Sequence, residues 1–393
     1  MPMDPNLAAD AVDADEVLAV ARSLLAARSE NPGGTEDEAA EVAADVLEGL
    51  GAGPEVVRGE AGRPSVVATI GDGDGPALAW NGHLDTVPAG SLDTWRADPF
   101  AGEVIDGRLI GRGACDMKGP IAAALAAAAA VRRAGIDGPG RVTFHLAADE
   151  ELAGVHGTQV LWERGLLTQG AAIVGEPSDL AVGLAERGGA WITATAHGTA
   201  AHGSQPDRGV NAITSMARYL LRLPEVLPDV EHPLCGRPTV NAALIGGGSA
   251  PNVVPDRCTV DIDRRLLPGE DDRDAVLAPF VTLAADIRRE HPEVDVRAEI
   301  REWTDAAEAP ADTAIADAVR AATRAERGQV PPDVGFTGIT DARFYINDAR
   351  IPTVIFGPGS LSVAHTANES IAVEDLVVAA RIYARIFAGV LAG

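Results

Sequence analysis

Residues 77–88 read Ala-Leu-Ala-Trp-Asn-Gly-His-Leu-Asp-Thr-Val-Pro. Residues 77–80 are an apolar run of strand length, and the chain passes from them straight into His83 and Asp85. The same event recurs further on. Residues 141–147 run into Asp149-Glu150-Glu151, and 171–174 run into Gly175-Glu176-Pro177. Residues 353–356 lead through a glycine-rich turn to His365, and Asp116 lies just before a helix that opens at Pro120. In an open α/β sheet, ligands gather outside the carboxyl ends of the strands. Two histidines and several carboxylates are therefore expected at one edge. That donor mix suits zinc or a similar divalent ion, and five ligands with one shared carboxylate suit a pair of ions. Asp85 follows His83 at the spacing that places two strand side chains on one face. There it can hold the second ring nitrogen of a ligating imidazole. Each motif alone has a plainer reading, as a surface pair, a solvated turn or a helix cap. The case rests on their recurrence at equivalent places.

Outward from that stretch, strands and helices alternate. Residues 66–70 read as a strand, 121–133 as a helix stopped by Gly135, and 158–164 as a helix. Upstream, residues 13–28 form a helix broken by Pro32-Gly33-Gly34. Thr35 with Glu38 reads as a capping box opening a second helix to about Leu50. This rhythm predicts an α/β fold, an open, mixed but largely parallel sheet flanked by helices. Near Arg187 the pattern changes. Strands at 190–197, 239–245, 258–265 and 294–300 are interleaved with helices at 211–223 and 274–289. That β-α-β-β-α-β order is the ferredoxin-like split unit, read here as an insertion. Helix 314–326, strand 353–356 and helix 374–391 then resume the first pattern. The expected domains are 1–187 and 303–393, two parts of a catalytic domain, with 188–302 as an inserted lid or dimerisation domain.

Composition limits the function. Of 393 residues, 46% are hydrophobic and 23% charged, which fits a soluble globular protein of two or three domains. The net charge of −26 opposes binding to nucleic acid or anionic membrane. Cys115, Cys235 and Cys258 show neither CxxC spacing nor a disulfide framework. The start of the chain carries no leader pattern, and the longest apolar run, 121–131, is far below the ~20 residues of a membrane span. A cytoplasmic protein is the expectation. No GxGxxG joins a strand to a helix and no P-loop is present, which argues against a nucleotide-binding protein. Lys118 is the only lysine, and it lies two residues from Asp116. A GC-rich coding bias toward arginine accounts for the scarcity of lysine along the chain, and the place of this one hints that a compact ammonium is wanted there.

With these motifs in hand, the sequence resembles the M20 metallopeptidases and amidohydrolases, which include acetylornithine deacetylase, succinyl-diaminopimelate desuccinylase, carboxypeptidase G and aminoacylases. The matching segments are NGHLDTVP (81–88), GRGACDMKG (111–119), ADEE (148–151), GEPS (175–178), AHGSQPDRGVNAI (201–213) and the His365 loop. The resemblance implies that His83 and Glu176 bind one ion and Glu151 and His365 the other. It makes Asp116 the bridge and Glu150 the general base, and it implies that the peptide bond after Asp116 is cis. It also implies a zinc-dependent hydrolase, with Co2+ or Mn2+ as other candidate ions. The reaction would be amide hydrolysis in a small N-acyl amino acid, with a dipeptidase or carboxypeptidase of the same type as the alternative. A non-catalytic binding protein on the same scaffold is disfavoured, because every ligand and the base are present.

By the same resemblance, the insertion supplies His202 as an oxyanion donor, Asn252 as a polar substrate handle and Arg265 as a clamp for a substrate carboxylate. Arg343 joins them from Gly338-Ile339-Thr340-Asp341-Ala342-Arg343, where the family has G-T-S-D-x-R. Isoleucine at the second place removes a hydroxyl and sets desuccinylase-type recognition in question. His145, His156 and His197 match no ligand motif and read as structural. Larger members of the family imply a homodimer formed through the insertion.

Overall fold

A computed structural model of the protein describes residues 6–59 and 62–393. Residues 1–5, where the stretch read for a leader begins, lie outside them. The chain divides into two compact units. One comprises Met1–Leu184, Glu308–Phe336 and Thr340–Gly393, and the other Ala185–Ala307 with Thr337–Ile339.

The first unit is organised by a nine-stranded sheet. Four neighbouring strands, Arg141–Ala147, Ala77–His83, Ala171–Val174 and Thr353–Ile355, are parallel, so their carboxyl ends share one edge. On one side Pro64–Ile70 and Glu55–Arg58 continue the sheet antiparallel, and on the other Val182–Glu186 does so. The parallel strands are buried along nearly their whole length, which is why they read as continuous apolar runs. Helix Lys118–Arg133 has fourteen of its sixteen residues buried. Its alanines let it pack closely against helices Ala14–Ala26 and Val373–Ala392. At the end of Ala171–Val174, a Cβ on Gly175 would come within 2.4 Å of the Trp80 ring, so glycine lets the chain pass Trp80 on its way to Glu176.

The capping box expected at Thr35 and Glu38 does not form. The helix is Asp37–Gly49. The Thr35 hydroxyl donates to the Asp37 carboxylate at 2.7 Å, and Glu38 accepts from the Arg28 amide at 3.1 Å. Local polar partners outcompeted the reciprocal cap. A three-stranded sheet of Glu103–Ile105, Arg108–Ile110 and Ser370–Ala372 also escaped the sequence reading, since three-residue strands show no usable period.

The second unit has an antiparallel sheet in the order Thr239–Gly247, Arg257–Leu266, Gly188–His197, Asp295–Thr304. Helices Ala212–Leu221 and Arg273–Glu290 lie between strands in the chain, giving the split β-α-β-β-α-β order. Asn211 caps the first helix through the Thr214 amide, and Asp272 caps the second through Asp274 and Ala275. Val260 and Ile262 point into a core with Ile192, Met216, Tyr219 and Phe280. Among the described residues, no helix is long and apolar enough to cross a membrane.

Candidate metal centre

The shared edge of the parallel strands gathers the predicted ligands. His83 ends its strand, and its ring is 1% exposed. Its Nδ1 lies 2.9 Å from the Asp85 carbonyl oxygen. A carbonyl only accepts, so Nδ1 carries the proton and Nε2 is left to face the cluster. Nε2 lies 3.0 Å from Asp116 Oδ1, 3.7 Å from Glu176 Oε1 and 3.9 Å from Glu150 Oε2. His365 Nε2 lies 3.0 Å from Glu151 Oε2 and 3.3 Å from Asp116 Oδ2. Asp116 thus turns one oxygen to each histidine. The peptide bond between Asp116 and Met117 is cis.

The Asp85 carboxylate sits differently from the expectation that it would hold the imidazole. The strand has ended at His83, so the two residues do not alternate on one pleat. Asp85 Oδ1 is 3.5 Å from His83 Nδ1 and accepts from the Glu150 amide at 3.1 Å, while Oδ2 accepts from the Glu151 amide at 3.2 Å. The residue therefore orients the ring through its carbonyl and holds the Glu150–Glu151 turn through its side chain. Asn31 Nδ2 ties Asp85 Oδ2 (2.9 Å) to Asp149 Oδ1 (3.0 Å), and its own oxygen accepts from Arg63. Arg63 in turn pairs with the fully buried Glu36. Asn31, Glu36 and Arg63 were not foreseen. Their partners lie too far away in sequence for any local pattern to reveal them.

Charge in this cluster is unbalanced. Burial pushes the Glu150 carboxyl well above the usual range, and the charges of Asp341, Glu151 and Asp116 add to it. Burial does the same to Glu176, with Asp116 and Glu150 beside it. Burial alone would lower the His83 pKa, but the Asp116 and Asp85 carboxylates facing its two ring nitrogens and the charges of Glu150 and Glu176 outweigh it and raise it well above normal. Hydrogen bonds that its ring donates to Asp116 and Glu151 raise His365 to about 10. The site calls for positive charge. Two sets of donor atoms, His83–Glu150–Glu176 and His83–Asp116–Glu151, lie close enough to surround a cation. Imidazole and carboxylate donors at these positions fit divalent metal.

Lys118 is buried, and its ammonium donates to the Ala27 carbonyl at 2.6 Å. Burial lowers its pKa to about 7 against the charges of Asp85 and Glu30. It is a strut from the ligand loop to the end of helix Ala14–Ala26. His145 is buried too; burial takes it to about 3, and its Nδ1 meets the Tyr345 hydroxyl at 2.7 Å. Arg343, expected to touch substrate, is only 6% exposed. It donates to the carbonyls of Thr340 and Ala153 and lies 4.2 Å over the Phe344 ring. Its guanidinium braces the turn after Glu151 rather than standing free for a ligand. Ile339 packs against Gly189, where a Cβ would meet its Cδ1 at 3.1 Å.

Within the inserted unit the candidates separate into two places. His202 is exposed, and its Nδ1 lies 2.8 Å from the Ser204 hydroxyl. Its backbone bridges to Val253, and the Gly203 amide donates to the Asn252 carbonyl at 2.7 Å. His202 and Asn252 thus share one turn, beside the start of strand Arg257–Leu266, where the Gly198 amide donates to Asp256. Arg265 is at the other end of that strand. Eight residues at ~3.3 Å each separate it from Arg257 by about 26 Å along the strand. Its Nε bonds Asp263 at 3.0 Å, in a cavity of about 630 Å³ lined by Trp191, Leu244 and Arg301 among others.

A parallel α/β sheet with two histidines and four carboxylates at the carboxyl ends of its strands, and a ferredoxin-like insertion, defines a class of candidate metallohydrolases. The chain belongs to peptidase family M20/M25/M40, whose model matches residues 79–388. It is 33% identical over 385 residues to succinyl-diaminopimelate desuccinylase of Rhodospirillum centenum (strain ATCC 51521 / SW), covering 94% of this chain and 96% of that one. It is 34% identical over 325 residues to acetylornithine deacetylase of Myxococcus xanthus, covering 80% of each. Human carnosine dipeptidase 1 superposes over the whole of both chains with a TM-score of 0.79 at 19% identity, a likeness of fold.

Proposed function

We propose that the protein hydrolyses the amide bond of small N-acyl amino acids with the help of two divalent ions. The observation that carries this is Asp116, which presents one carboxylate oxygen to His83 and the other to His365. His83 and Glu176 would hold one ion, Glu151 and His365 the other, with Asp116 between them. Zinc suits this nitrogen and oxygen donor set, and Co2+ or Mn2+ could replace it. When bound, the ions supply Lewis acidity at the scissile carbonyl and acidify the attacking water. Glu150 takes that water's proton and returns it to the leaving amine nitrogen. Its buried position, which favours the protonated form, suits the second transfer. Asp85 keeps the Glu150–Glu151 turn in place through both backbone amides.

His202 is assigned to the oxyanion, and Asn252 and Arg265 to substrate capture. The His202–Asn252 turn leads into one end of a strand and Arg265 lies about 26 Å along it from Arg257, an arrangement ill suited to holding one small substrate from a single chain. A homodimer, with one copy giving the turn and the other the arginine, reconciles the two assignments. Both curated relatives carry names of N-acyl amino acid hydrolases, which favours that substrate class over dipeptides.

A panel of N-acetyl, N-succinyl and dipeptide substrates, with released amine measured on zinc-loaded protein, tests the reading. Turnover of an N-acyl amino acid at least tenfold above any dipeptide is expected. Preference for dipeptides would replace the deacylase reading with the peptidase one. Full activity after exhaustive metal removal would end both.

A further inference from the structure

We infer that Glu369 is a positioning residue that locks the two ligand loops of the metal centre together and thereby sets retention of the ion between Glu151 and His365. The inference rests on the two-ion reading. Glu369 lies four residues after His365, and its side chain is fully buried. One of its carboxylate oxygens, Oε1, accepts three backbone amides of the loop that ends in the bridging aspartate: Gly113 at 3.1 Å, Cys115 at 2.9 Å and Asp116 at 3.0 Å. The other oxygen pairs with Arg112, which is itself 3% exposed. Arg112 also donates to the Thr366 carbonyl, next to His365, and lies 5.4 Å over the Trp95 ring.

The backbone continues the link. The Gly111 amide donates to the Glu369 carbonyl, and Ser370 pairs with Ile110 in the short antiparallel sheet. On the far side of His365, the Cys115 thiol donates to the Ser360 carbonyl. The Asp116 loop and the His365 loop are therefore one fastened body, with the Glu369 carboxylate at its centre.

This fastening matters more for one ion than the other. His83 is fixed without Glu369, at a strand end and by the Asp85 carbonyl. His365 is half exposed and sits at φ 59° in an irregular loop. Its approach to Glu151 and Asp116 depends on the loop's attachment. Charge-assisted hydrogen bonds of this kind are the strong ones, and three on one oxygen fix a loop's path. Ligand-orienting groups of comparable placement typically alter metal affinity ten- to a hundredfold when removed.

The test compares Glu369→Gln, Glu369→Ala and Arg112→Ala with the wild type. Each protein is stripped of metal, melted without it, then titrated with Co2+ while the visible absorption and the heat of binding are followed. Wild type should take two ions. Glu369→Gln keeps the shape and an acceptor oxygen but loses the charge facing Arg112. It should bind the first ion as wild type does and the second ten- to a hundredfold more weakly, with an altered spectrum at the second equivalent. Its metal-free melting temperature should stay within a few degrees of wild type. Glu369→Ala should lose the second ion altogether. Two wild-type affinities and spectra in Glu369→Gln and Arg112→Ala would overturn the inference. Equal weakening of both ions in step with a collapsed melting temperature would overturn it too, in favour of a purely structural role. A wild type that binds fewer than two ions would instead refute the two-ion reading itself.

Discussion

The candidate residues of the sheet-based unit meet one another, whereas those of the inserted unit are divided between the two ends of one strand. His83, Asp116, Glu150, Glu151, Glu176 and His365 come from segments up to 282 positions apart, yet ring nitrogens and carboxylate oxygens approach to 3.0–3.9 Å. His202 and Asn252 share a turn before one end of strand Arg257–Leu266, and Arg265 lies near the other end, about 26 Å along the strand from Arg257. The difference is one of construction. Parallel strands in hydrogen-bonded register deliver their ends to a common edge, so any polar residue just past an end is placed by the sheet. An antiparallel unit alternates strand direction and offers no such edge. Residues singled out there by motif keep only the neighbours that their own turn provides.

The sharpest way to break the comparison is at its centre. Asp116→Ala should abolish both metal binding and turnover, because that carboxylate faces both histidines. Metal analysis of the purified variant checks it. Retention of two ions would mean that the convergence does not make a bridged site. Next in size is Glu150→Gln, expected to lower kcat by about 10²–10⁴-fold while two ions remain bound, as loss of a proton-transferring group should. Glu150 and Glu176 lie at similar distances from His83, 3.9 and 3.7 Å, so spacing alone does not separate base from ligand. A Glu150→Gln protein that loses an ion would exchange the roles of the two neighbouring glutamates.

The same contrast explains what could be read in advance. Strands Arg141–Ala147 and Ala171–Val174 match the expected spans to the residue, since buried parallel strands are bounded apolar runs. Edge and short strands such as Glu55–Arg58 and Ser370–Ala372 are too short to show a period along the chain. The candidate metal ligands are legible through strand-end position and motif. The residues that hold them were not. Asn31 reaches Asp85 across 54 positions and Glu369 reaches Arg112 across 257, and in neither case does the local sequence mark the partner. Arg343 carried a motif but spends its guanidinium on carbonyls, a fact fixed by the turn it meets and invisible along the chain. The two-residue spacing of His83 and Asp85 predicts a shared strand face for both side chains, but the strand ends at His83, two residues before Asp85.

In the inserted unit the expected effects are smaller and of different kinds. His202→Ala should lower kcat on the order of a hundredfold with little change in KM, because a donor to the developing oxyanion acts only as charge forms. Steady-state kinetics decides it, and a change confined to KM would move His202 from the chemical step to binding.

Arg265→Ala is the mildest of the four and tests whether the two ends of the strand serve the same reaction. The guanidinium is a third exposed and its Asp263 partner a quarter exposed, so the pair between them is worth little, about 0–1 kcal/mol, and is readily given up to a ligand. A substrate carboxylate bound in its place would contribute a charge-assisted bond of about 1.5–3 kcal/mol. Loss of that bond should raise KM about ten- to a hundredfold and leave kcat close to wild type, the pattern of an interaction made equally in ground and transition states. Asp263→Ala gives the converse test, since it frees Arg265 and should lower KM for acidic substrates a few fold. If neither substitution alters KM, Arg265 is only half of a surface ion pair.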